Sequence, residues 1–165
     1  MSRRSALRAL GVSGTIILGT GTVNARGGRD AVPTFFARLS DNPSISGHDK
    51  VHSKGRGRLD VVGDTEDGDP ILRYTLTVAN LEEGAHAAHI HGEGRADGPI
   101  LAGLYDGPPI NDHTVNGVIG NGVDELIWDE LVEGNGVVNV HTGFEPGGEI
   151  AGVVRARPVA GWIAV

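Results

Sequence analysis

GAHAAHIHG, at residues 84–92, is the most informative segment of this chain, and a second histidine-containing motif, VNVHT, follows at residues 138–142. Side chains alternate between the two faces of a β-strand, so His89 and His91 are predicted to share one face. A third imidazole from a later strand, His141, would complete an open three-nitrogen metal site. These three histidines are therefore the candidate metal ligands.

Three further side chains near these stretches have weaker patterns. His113 is a candidate fourth ligand, although a position in a solvated loop is favoured. His86 precedes His89 by three residues, which places it on the opposite face of a regular strand and favours a structural role. Glu149 could orient His141 or bind backbone donors of the preceding turn, and a structural role is again favoured. The sequence contains no pattern that predicts a catalytic residue or an organic cofactor.

The N-terminus has the pattern of an export signal. Arg3 and Arg4 form a twin-arginine opening, and an apolar run at residues 9–18 is too short to cross a membrane, which needs about 20 residues. We predict export to the extracellular space or cell surface, with no transmembrane segment in the mature protein. The predicted organisation is a signal peptide at 1–26, an exposed lead-in at 27–32, one domain at 33–157 and a C-terminal tail at 158–165.

The composition of the chain excludes some classes of binding partner and some kinds of chemistry. Four of the 14 basic residues lie in the predicted leader and all 21 acidic residues follow it, so the mature chain has a formal charge of −11 with neutral histidines. Such a surface repels nucleic acid and suits high salt, which points to a halophilic source. The chain has no cysteine. Thiolate metal sites, disulfides and cysteine nucleophiles are thereby excluded.

Short alternating segments predict an all-β fold. Strands are expected at 33–40, at 55–62 and 71–78 as a hairpin around an acidic turn, and also at 86–91, 100–105, 137–142 and 149–157. Segments at this spacing, divided by Gly, Pro and Asp, predict seven or eight strands in an antiparallel Greek-key sandwich or barrel. One segment differs, because residues 124–134 have apolar residues at helical spacing and predict a short helix over one mouth of the barrel.

The motifs resemble those of a known family, the CHRD (chordin) domain. The resemblance is carried by GAHAAHIHG, by VVNVHT at residues 137–142 and by EPGGEIAG at residues 145–152, and it spans roughly residues 33–157. CHRD domains occur in animal chordin, which antagonises bone morphogenetic proteins, and in many exported microbial proteins. The resemblance implies a β-sandwich module that binds another protein or a cell-surface partner.

A more distant similarity is to the copper/zinc superoxide dismutases. In that family a glycine is followed by histidines at the second, fifth and seventh positions, as Gly84 is here by His86, His89 and His91. The resemblance implies copper binding by the last two and by His141. The chain departs from the enzyme in having no disulfide cysteines, no histidine-rich zinc loop and no secure bridging histidine.

Two functions therefore remain open. The first is an exported, non-catalytic binding or cell-surface module. The second is a copper-binding protein, or a copper-only dismutase-like oxidoreductase, that uses His89, His91 and His141. The incomplete dismutase pattern favours the first.

Overall fold

The structure, a computed structural model, describes residues 15–18, 21–24, 34–46, 52–67, 69–119 and 125–157. These residues form eleven strands and two helices. The strands are β1 (Thr15–Leu18), β2 (Gly21–Asn24), β3 (Thr34–Ser40), β4 (Arg56–Glu66), β5 (Asp69–Ala79), β6 (Ala85–His91), β7 (Ile100–Ile110), β8 (His113–Ile119), β9 (Val137–Thr142), β10 (Ile150–Val153) and β11 (Arg155–Ala156). The helices are α1 (Pro43–Ser46) and α2 (Glu125–Glu133).

Nine of the strands form one antiparallel sheet that is nearly closed into a barrel. Its order is β7-β6-β9-β10-β3-β4-β5-β8, and β11 pairs with the outer part of β3. Strand β9 returns to lie beside β6 after the β6-β7-β8 succession, which is the Greek-key arrangement. The all-β prediction is confirmed, with one strand more than the seven or eight expected. Strands β1 and β2 pair separately with each other.

The β4-β5 hairpin is longer than its sequence pattern predicts. Pairing continues as far as Glu66 and Asp69, so both strands extend into the segment that was expected to be an acidic turn. Asp67 adopts a φ of 55°, a left-handed conformation that tight two-residue hairpins favour. Arg73 of β5 lies 2.6 Å from Asp64 of β4, and this exposed ion pair joins the two strands.

A tyrosine side chain bridges the two ends of the sheet. No ladder joins β7 to β8 within the described residues, but Tyr74 of β5 donates its hydroxyl hydrogen to the carbonyl of Leu104 in β7. Gly117 of β8 lies opposite Tyr74, and a Cβ there would collide with the tyrosine hydroxyl. The absence of a side chain at residue 117 therefore lets the ring of Tyr74 reach across the gap between β8 and β7.

The core fills the barrel and continues under α2. Its largest buried side chains are Phe35, Leu39, Leu59, Leu72, Leu76, Ile90, Leu131 and Ile150. In α2, Ile127 and Leu131 are buried, and Trp128 packs edge-to-face on Phe35 with ring centroids 6.0 Å apart. Because i and i+4 side chains share a helix face, the apolar spacing predicted this helix and its buried side. That prediction is confirmed.

Parts of the predicted organisation lie outside the described residues. This holds for the lead-in at 27–32, the tail at 158–165 and all of the leader except 15–18 and 21–24. The signal peptide and its boundary therefore stay predictions. Within the described ranges, no helix combines the length and the apolar character that a membrane crossing needs.

Candidate metal centre

Neighbouring strands β6 and β9 carry the three candidate histidines on one face. Along β6, Ala88 and Ile90 are fully buried in the barrel core, so His89 and His91 point to the opposite face. His141 of β9 pairs with Ala87, which shares the face of His89. The predicted alternation thus brings all three imidazoles together on the outer face of the barrel wall.

The imidazoles are close enough to share one ion. Each offers one ring nitrogen such that the three nitrogens lie within 4.8 Å of one another. His89 Nδ1 and His141 Nε2 are 3.2 Å apart and form a hydrogen bond, in which His141 Nε2 accepts because His141 Nδ1 carries that ring's hydrogen. Two nitrogens bound to one metal at about 2.0–2.1 Å with angles of about 90–110° would lie about 2.9–3.4 Å apart, so this spacing already suits a shared metal.

Two backbone carbonyls fix which nitrogen points into the cluster. His91 Nδ1 donates to the carbonyl of Gly98 at 2.8 Å, and His141 Nδ1 donates to the carbonyl of Pro146 at 2.9 Å. Each ring therefore keeps its hydrogen on Nδ1 and directs the Nε2 lone pair toward the cluster. Carbonyl acceptors of this kind orient metal-binding histidines and raise their basicity.

One of these lone pairs is buried and lacks a partner. His91 is 5% exposed, and its Nε2 has no hydrogen-bond partner within the described part of the chain. Leaving a buried polar atom unpaired carries a desolvation cost, so such an atom calls for an explanation. A metal ion bound by Nε2 would supply the missing partner.

The environment lowers the pKa of two half-buried imidazoles, which favours their neutral form. Burial lowers the pKa of His89, the neighbouring His91 lowers it further, and Asp106 raises it. Burial also lowers the pKa of His141, and the hydrogen bond to Pro146 opposes that shift. Because metals bind the neutral ring, a lowered pKa favours the form of the imidazole that a metal can bind at neutral pH.

The other sequence candidates lie elsewhere or have different partners. His113 is exposed at the start of β8, opposite Val78, and is not among the three grouped histidines. It also begins a strand, where a loop position was favoured. His86 sits at a bulge in the pairing of β6 with both neighbours, near enough for its charge to lower the pKa of His141. The bulge breaks the alternation that predicted its face.

Glu149 is buried, and the donors to its carboxylate differ from the two that the sequence suggested, His141 and the preceding turn. Its carboxylate accepts from Ser53 Oγ and from the backbone N–H of Glu82, at 3.0 and 3.2 Å from its two oxygens. It is 1% exposed. Glu149 therefore anchors two loops at the end of the barrel, which agrees with the favoured structural role but through other donors.

The charged side chains considered near the histidine cluster are an aspartate and an arginine that is paired with two carboxylates. Asp106 of β7 is the carboxylate that acts on His89. Arg95, in the loop after His91, contacts Glu93 at 2.8 Å and Asp97 at 3.9 Å. The cation nearest to the β6 histidines in sequence is therefore paired with two carboxylates.

Fold and site together define an antiparallel Greek-key β-barrel with a three-histidine cluster on its outer wall. The CHRD domain family matches residues 35–154, which is most of the chain. This chain belongs to the CHRD domain family, and the resemblance noted from its motifs is confirmed. Comparison with curated proteins and with solved structures gave no match.

Proposed function

We propose that this CHRD domain is an exported copper-binding module that holds one copper ion through His89, His91 and His141. The observation that carries the proposal is the buried, unpartnered Nε2 of His91, which shares a cluster with two further imidazoles. The partner of such a module would be another protein or a component of the cell surface.

The donor set favours copper over other divalent metals. Three neutral imidazoles without a thiolate suit copper, zinc and nickel, and the affinity of a nitrogen site for first-row divalent ions peaks at Cu²⁺. The chain has no cysteine to contribute a softer ligand. A twin-arginine leader would export the protein already folded, which is compatible with loading of the metal before export.

Efficient superoxide turnover is not part of the proposal. Three histidine ligands leave a coordination position open, as a redox enzyme needs. Fast dismutation also requires a positive field that draws in the anionic substrate. Here Asp106 faces His89, and Arg95 is paired with acidic neighbours. Binding or carriage of the metal is the role that these charges support.

The test is elemental analysis of protein purified without an affinity metal, followed by copper titration. We expect one copper per chain in the wild type and none held by His91→Ala. His113→Ala is the matched control, because it removes an exposed histidine outside the cluster and is expected to bind like the wild type. Equal binding by all three proteins, or no binding by the wild type, would refute the proposal.

A further inference from the structure

Asn139 occupies a buried position between the histidines. It lies two residues before His141 on β9 and directly opposite His89 of β6, so it shares the face of the cluster. Its side chain is 1% exposed. A side-chain amide that is buried this completely beside the histidine cluster is expected to have hydrogen-bond partners within the protein.

The amide nitrogen of Asn139 contacts two loops at once. Nδ2 donates to the carbonyl of Gly147 at 2.9 Å and to the carbonyl of Ala96 at 3.4 Å. Ala96 belongs to the β6-β7 loop, and Gly147 belongs to the β9-β10 loop. One amide group therefore ties together two segments that are distant in the sequence.

The same two loops supply the carbonyls that orient the ligands. Gly98, two residues after Ala96, accepts from His91, and Pro146, the residue before Gly147, accepts from His141. A shift of either loop would move the acceptor of one histidine. The amide is thus placed to hold both acceptors in register with the strands that carry the rings.

The nitrogen of this side-chain amide has hydrogen-bond partners, whereas its oxygen has none within the described residues. Asn139 Oδ1 is buried and has no hydrogen-bond partner among the described residues. Gly148 has a φ of +128°, and a Cβ there would collide with Oδ1. The glycine leaves room for an amide whose hydrogen bonds, within the described part of the chain, are the two that Nδ2 donates to the loops.

We infer that Asn139 is a positioning residue for the metal centre, acting through the two loop carbonyls rather than as a ligand. The inference rests on the proposed copper function. Its structural part, control of the Nδ1 hydrogen bonds of His91 and His141, applies equally to the metal-free protein.

The experiment compares Asn139→Ala with Val138→Ala, a substitution on the same strand whose side chain faces the barrel core. Both are expected to lower the melting temperature. Copper affinity, measured by chelator competition, should fall about 10- to 100-fold in the Asn139 variant, the usual loss for a ligand-orienting partner, and stay unchanged in the Val138 variant. Equal affinity of the Asn139 variant and the wild type would overturn the inference, as would an equal loss in both variants.

A second readout uses the metal-free proteins. Nitrogen-15 NMR should show slowly exchanging Nδ1–H groups for His91 and His141 in the wild type and in Val138→Ala, and fast exchange in Asn139→Ala. If that variant does not fold, Asn139→Ser carries the same test, because its short hydroxyl cannot span both carbonyls. Unchanged exchange would overturn the inference. A wild type with protected Nδ1–H groups that binds no copper would instead refute the proposed function alone.

Discussion

Replacing His91 with leucine separates the stability of the barrel from the stability that a metal adds. The substitution roughly conserves volume at a site that is 5% exposed. It removes the hydrogen bond to Gly98, worth about 0.5–1.5 kcal/mol, and it also removes the unpartnered Nε2, whose burial costs about 1–3 kcal/mol. The two effects oppose each other, so the metal-free variant should lie between about 0.5 kcal/mol less stable and about 2.5 kcal/mol more stable than the wild type.

Copper should then distinguish the two proteins. At a free concentration 100 times Kd, a ligand that binds only the folded state adds about 2.7 kcal/mol. For a domain of this size that corresponds to a rise in Tm of roughly 10 °C. Thermal unfolding followed by circular dichroism should show this rise for the wild type and none for His91→Leu. An equal rise in both proteins, or a metal-free variant destabilised by more than about 3 kcal/mol, would contradict this prediction.

Three further predictions concern the pH dependence of stability, the hydrogen bond of Tyr74 and superoxide turnover. Because burial lowers the pKa of His89 and His141, the unfolded chain takes up protons there before the folded chain does. The stability of the metal-free protein should therefore be full above pH 6.5 and fall as the pH drops below it, and a urea midpoint that is flat from pH 7 to 5 would contradict this. Tyr74→Phe loses the bond to buried Leu104 and should cost about 1–3 kcal/mol in urea unfolding, whereas Tyr105→Phe, whose hydroxyl bond is exposed, should cost less than about 0.5 kcal/mol. The copper-loaded wild type should turn over superoxide little faster than its His91→Leu variant, and a fast rate lost on that substitution would establish an enzyme instead.

The sequence predicted the helices and strands in which apolar residues keep a single spacing along the whole element. The α2 helix and the β4-β5 hairpin belong to this class, because their apolar spacing alone selects the buried side. Strand β8 and the second half of β7 were not predicted. Gly117 weakens a strand pattern but is needed under Tyr74, and Pro108 and Pro109 are tolerated because β7 is an edge strand.

The candidate metal site likewise has features that the sequence predicted and features that it could not. A period of two was enough to place His89 and His91 on one face, and the family motif suggested His141. The carbonyls of Gly98 and Pro146 could not be predicted, because every residue carries a carbonyl and only the folded loops decide which one meets a ring. The amide of Asn139 was visible in the VNVHT motif, but nothing in its spacing indicated that it joins two loops.

Anomalous diffraction at the copper edge, from crystals of the copper-loaded protein, would locate the metal directly. We expect a single strong peak about 2.0–2.1 Å from His89 Nδ1, His91 Nε2 and His141 Nε2, with Nδ1 of the last two still bonded to their carbonyls. A peak at another set of residues, or no peak from crystals grown with excess copper, would contradict the account.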